Sequence, residues 1–146
     1  MKEILEALKA EILESMPEIR EVHVLADPDL LPAGVQFPCV GLKDGPVLRS
    51  EGVDDTVALG LDVNIYIYVQ ILKEEASIMG SGAGSGAQKG LLDLMADIHS
   101  ALEHNLLDVS GVIHAFCNEE FGSETMLAGV DVFVQRKGCR YVYEIQ

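Results

Sequence analysis

The sequence predicts an α+β fold: an antiparallel (mixed) β-sheet with a long β-hairpin, packed against two α-helices on one face. Residues 57–72 (VALGLDVNIYIYVQIL) place an aliphatic side chain at every odd position, from Val57 to Ile71. That is the period of a strand with one buried face. Residues 2–15 and 87–107 repeat apolar residues at three- and four-residue steps, the period of a helix with one apolar stripe. Much of the rest divides into short β-rich runs between Gly, Pro and Asp turns. A chain of 146 residues fits a single domain, 1–146, with a core of ordinary size.

The long strand sets the rest. Its odd positions are Val57, Leu59, Leu61, Val63, Ile65, Ile67, Val69 and Ile71; its even positions include Gly60, Asp62, Asn64, Tyr66 and Tyr68. Burying the odd row contributes at most roughly 12–24 kcal/mol, enough to fix the register, because a one-residue slip turns the whole row to solvent. Sixteen residues at ~3.3 Å span about 53 Å, against about 17–20 Å for a usual strand. The run therefore bends, with a bulge at Gly60, or projects as an arm whose unpaired edges want a partner. The polar face, Asp62, Asn64, Tyr66 and Tyr68, is expected to point outward and to serve an interface.

The elements follow in order. The first helix, 2–15, carries Ile4, Leu5, Leu8, Ile12 and Leu13 on one side and is stopped by Pro17. A strand at 18–26 leads into a Pro-rich loop at 27–34. Residues 36–42 (QFPCVGL) read as a strand that Pro38 confines to an edge or a bulge. KDGP at 43–46 reads as a turn, and 47–51 begins the hairpin that leads through EGVDDT into the long strand. Residues 73–87 form a Gly-rich loop, with four glycines in 80–86. Ordering those seven residues costs on the order of 7–14 kcal/mol of backbone entropy, so a flexible coil is expected. The second helix spans 87–107 on Leu91, Leu94, Met95, Ile98, Leu102 and Leu106. Strands at 109–118, 127–135 and 140–145 close the fold, the last two joined by a turn at Lys137–Gly138.

The totals exclude several functions. Twenty-four acids against ten bases give a formal net charge of −14, which leaves no basic patch to neutralise phosphates. Direct nucleic-acid binding is not expected, although an acidic surface can line a passage through which nucleic acid slides. Cys39, Cys117 and Cys139 are odd in number and lack a CxxC spacing, so they read as reduced, mostly buried small hydrophobes of a cytosolic protein. The charged amphipathic start is not a signal peptide, and no apolar run approaches the ~20 residues of a membrane helix.

No stretch carries a reactive constellation. GAGSGA at 82–87 fits GxGxxA, but residues 73–79 separate it from the strand and no parallel βαβ pattern surrounds it. Lys89 is followed by Gly90, which breaks a phosphate-loop pattern. His99 and Glu103 lie one helical turn apart and can share a ligand, but HxxxEH is not HExxH and no third ligand is evident. There is no GxSxG, and the carboxylates are scattered over turns. The chain reads as a non-enzyme without cofactor or metal.

The order of pieces carries a resemblance. An amphipathic helix precedes a strand and a Pro-rich loop, then "FPCVGL", a hairpin feeding the I-x-I-x-V strand, a Gly-rich loop, the helix "LLDLMADIHSAL" and closing strands. Over nearly the whole chain this resembles the tail terminator, or tail-completion, proteins of long-tailed phages, the minor tail protein U-like group. The Gly-rich loop is longer than that pattern requires. The resemblance implies a small structural protein that caps the tail tube as a ring, commonly of six copies, ends tail growth and forms the head-joining surface. It implies as partners other copies of the chain, the tail tube protein and a head–tail connector protein, with the host cytoplasm during assembly and the virion tail as locations. On this reading the interface candidates are Asp62, Asn64, Tyr66 and Tyr68 on the strand, with Met79, Gly80, Gly82, Gly84 and Gly86 on the loop. The rivals are another head–tail connector or neck protein, or a nucleotide-binding enzyme using the Gly-rich loop.

Overall fold

In the computed structural model, which describes residues 1–51, 57–71, 78–80, 89–128 and 132–146, the odd row of the long strand is the wall of the core. The elements are α1 (Lys2–Ser15), β1 (Glu21–Val24), β2 (Cys39–Glu51), β3 (Val57–Gln70), α2 (Leu91–Leu102), β4 (Val112–Glu120), β5 (Glu124–Leu127) and β6 (Phe133–Ile145). They make an α+β fold with a mixed six-stranded sheet in the order β1-β2-β3-β6-β4, and β5 also pairs with β6. β1 runs parallel to β2; the other pairings are antiparallel.

Both helices pack on one face of the sheet, as expected. Ile4, Leu8 and Ile12 of α1 and Leu91, Leu94, Met95, Ile98 and Leu102 of α2 meet Leu61, Val63, Ile65 and Ile67 of β3 in one cluster. Tyr141, Tyr143 and Cys139 of β6 join it from the neighbouring strand. The opposite face has a smaller core of Leu25, Cys39, Tyr68 and Val134, roofed by Leu31, Val35 and Phe37 from residues 27–38. The even row is therefore polar only over its lower part.

Two expected turns are strand. β2 runs straight through KDGP, and the register slips between Asp44 and Val47 instead of reversing. Gly45 sits in this bulge against β3, where a Cβ would lie 2.9 Å from the carbonyl oxygen of Asp62; close backbone approach, rather than a turn, is what this glycine permits. β6 likewise runs through Lys137–Gly138 as one 13-residue strand. A Cβ at Gly138 would lie 2.6 Å from Cδ1 of Tyr66, its cross-strand partner, so the glycine makes room for a ring lying on the sheet. The strand expected at 127–135 is the end of β5, the beginning of β6 and the residues between them. α2 is shorter than 87–107: it stops at Leu102, and His104, Leu107 and Asp108 then take positive φ of 60°, 59° and 54°. The bulge expected at Gly60 is absent, since Gly60 pairs in register with both Leu48 and Glu144.

Candidate functional site

β3 is not itself a free ribbon. β2 pairs with it from Val57 to Tyr68 and β6 from Leu59 to Gln70, so both of its edges are taken over most of its length. What outruns the body is the end of the hairpin. β1 follows β2 only as far as Leu42, and β6 ends opposite Leu59. Residues Val47–Glu51 thus present an outer backbone edge that no described strand covers. Five residues extend about 17 Å. On this arm Val47, Leu48 and Val57 are 45%, 64% and 51% exposed. An unpaired edge with exposed apolar residues is a template for another chain.

The opposite margin of the sheet is treated differently along its length. Beside β4, the His104 N–H donates to the Ala115 carbonyl oxygen at 3.0 Å, and the Glu103 carboxylate accepts the Cys117 N–H at 3.2 Å. The positive-φ turn after α2 brings these two residues against the strand. β5 has no such cover among the described residues. Its last residue, Leu127, pairs with Phe133, and the two are 55% and 54% exposed.

The interface candidates separate into groups. Tyr68 is not outward: it is wholly buried under the protein's own loop, and its hydroxyl donates to the Pro28 carbonyl oxygen at 2.6 Å. Burial raises its pKa. Asp62 is also buried, opposite the β2 bulge. These two are corrections, and their common cause is that loop and bulge cover a face that alternation alone leaves open. Asn64 is half-buried and accepts a hydrogen bond from Arg140 Nε at 3.2 Å. Tyr66 is half-buried, its ring 6.3 Å from that of Phe121. Met79 is exposed and Gly80 takes a positive φ of 89°. Gly82, Gly84 and Gly86, and with them the GAGSGA stretch, lie outside the described residues.

Arg136 ties the second face together. Its guanidinium bonds Asp29 and Glu124, each at 2.5 Å, donates to the Pro28 carbonyl at 3.1 Å, and lies 5.2 Å from the centre of the Tyr66 ring. Burial opposes its charge, but Glu124 and Asp29 outweigh that and raise its pKa. Arg136, Tyr66, Phe121, Gly122, Glu124 and Gly138 line a shallow cleft of about 280 Å³. Arg136 thus ties Pro28 and Asp29 of the roof to Glu124 of β5.

His99 and Glu103 both face the Tyr141 hydroxyl. The Tyr141 hydroxyl lies 2.5 Å from His99 Nδ1 and 3.5 Å from Glu103, while His99 Nε2 lies 2.7 Å from Glu120. A neutral imidazole satisfies this row when Nε2–H donates to Glu120 and Nδ1 accepts from Tyr141. The His99 hydrogen bond, with help from Lys137, holds the Glu120 carboxyl below the usual range. Burial pushes the Tyr141 hydroxyl up, and its side chain is wholly enclosed, so the row joins α2 to β4 and β6 and offers no exposed nucleophile. No group of three or more His, Cys, Asp and Glu among the described residues is arranged to hold a metal ion. No described helix is long and apolar enough to cross a membrane.

Sequence reasoning found the hairpin but not the surfaces it exposes. Reading KDGP as a turn hides Val47 and Leu48; the consecutive apolar pair after Pro46 is the signal for them. The Leu127–Phe133 corner had no signal beyond two apolar residues that a strand reading assigns to a core. Compared with known proteins, the chain matches no family model and no curated sequence.

Proposed function

We propose that this chain is a structural, non-enzymatic protein of a long-tailed phage that closes the tail tube as a ring of like copies. In that role it ends tube growth and presents a surface to the head, acting in the host cytoplasm during assembly and then in the virion tail. The observation that supports this best is the β2–β3 arm, whose outer backbone edge no described strand covers and which carries three exposed apolar side chains, Val47, Leu48 and Val57. Subunits of a ring need a surface that adds to a neighbour, and an unpaired strand provides one. The net charge of −14 suits a lumen through which DNA passes without being held.

The test is capping. Purified chain is added to growing tail tubes of its own phage, and tube ends are viewed by negative-stain electron microscopy. The expected result is a ring at one end and arrest of elongation. Binding to the connector without binding to tubes marks a neck protein instead, and an absence of both refutes the proposal.

A further inference from the structure

Resting on that ring reading, we infer that the arm of one copy docks on the β5 corner of the next, so that copies join head to tail. Within the sheet the two surfaces occupy opposite corners. The arm lies along the Val57–Leu61 end of β3 on the β2 side, whereas Leu127 and Phe133 lie beyond its Gln70 end on the far side of β6. β3 has 14 residues, which at ~3.3 Å each put the corners about 46 Å apart. The two surfaces cannot meet within one chain, and a contact between unlike patches repeats from copy to copy, closing a ring or running on as a filament.

The two surfaces fit each other in length and polarity. Val47–Glu51 offers five residues of free edge and Glu124–Leu127 offers four. Joining them by backbone bonds brings Val47 and Leu48 toward Leu127 and Phe133, burying apolar area on both sides. Two alternatives fit less well. Pairing arm edge with arm edge over its full length centres a two-fold axis on Arg49 and sets like charges opposite each other. The β4 edge is already occupied by the His104 N–H and the Glu103 carboxylate.

The experiment is complementation between two variants of the full chain, Leu48→Glu on the arm and Leu127→Glu on the corner. Both positions are exposed, and each variant is checked for native circular dichroism; Val47→Glu, also at an exposed apolar position of the arm, replaces the first if it misfolds. Mass is measured by light scattering after size exclusion. Each variant alone is expected to remain a monomer at concentrations where the unmodified chain assembles, an affinity loss of at least tenfold. An equimolar mixture is expected to give 1:1 heterodimers and nothing larger, because only one intact arm and one intact corner remain per pair. Rings that persist in both variants overturn the docking but leave the ring reading standing. Head-to-tail oligomers that the variants abolish, without capping of tubes, uphold the docking and remove the phage reading. An unmodified chain that stays monomeric alone and on tubes overturns both.

Discussion

Ile65→Ala and Leu48→Ala, made separately, probe the register that divides the hairpin into a buried half and a projecting half. Ile65 is fully buried in the centre of β3, while Leu48 is 64% exposed on the arm. Truncating Ile65 removes three carbons, ~2.4 kcal/mol at about 0.8 kcal/mol per buried methylene. The cavity left in a close-packed core raises this to about 3–4 kcal/mol. The same truncation at Leu48 removes only the covered third of its surface, under about 1 kcal/mol. For a chain of this size each kcal/mol shifts Tm by roughly 2–4 °C. The expected losses are therefore about 6–16 °C for Ile65→Ala and under about 4 °C for Leu48→Ala. The assay is thermal unfolding followed by circular dichroism, at a concentration low enough that assembly does not add to stability by mass action. Equal losses at the two sites refute the division, because they place the arm inside the packed body.

Other outcomes follow from single contacts. Tyr68→Phe leaves the Pro28 carbonyl with only its Arg136 donor and lowers stability by about 0.5–1.5 kcal/mol in urea unfolding. Tyr143→Phe is neutral or stabilising in the same assay, since the buried Tyr143 hydroxyl has no hydrogen-bond partner among the described residues. Gly138→Ala displaces the Tyr66 ring and costs about 1–3 kcal/mol. On acidification, stability falls as Glu120 and Glu18 protonate, because His99 and Lys89, respectively, hold their folded pKa values below the usual range. The unfolded chain then binds more protons than the folded one, so the contribution is complete above about pH 5 and is lost below it; Glu120→Gln flattens the slope of a urea-midpoint titration in that window. With a thiol reagent at pH 8, Cys117 reacts first and Cys39 and Cys139 only on unfolding, since both are buried and burial pushes the Cys39 thiol up to about 12 and the Cys139 thiol higher still.

The fold class was legible because its signals are periodic. Eight aliphatics in the odd positions of 57–72 leave one register, and the helix stripes leave one face to cover. Turn chemistry was less legible. KDGP and Lys137–Gly138 contain the residues of turns, yet each glycine serves the close approach of a neighbour, Asp62 in one case and Tyr66 in the other. That neighbour is set by strand pairing and is invisible locally. The candidate interface was legible only as a direction. Alternation put Tyr68 on the polar face, and it cannot see that residues 27–38 fold back over that face. The row from Tyr141 through His99 to Glu120 joins residues 21 and 42 positions apart, and only the spacing of His99 and Glu103 hinted at it.

The most direct measurement of the arm's role is hydrogen exchange, read by mass spectrometry on peptides spanning residues 43–51, in the dilute chain and in the assembled ring. Outer-edge amides of the arm are expected to exchange as fast as exposed loop amides when dilute and to become protected on assembly, together with those of residues 124–127. Protection of the arm in the dilute chain, or a ring in which neither segment changes, would contradict a free strand that docks on its neighbour.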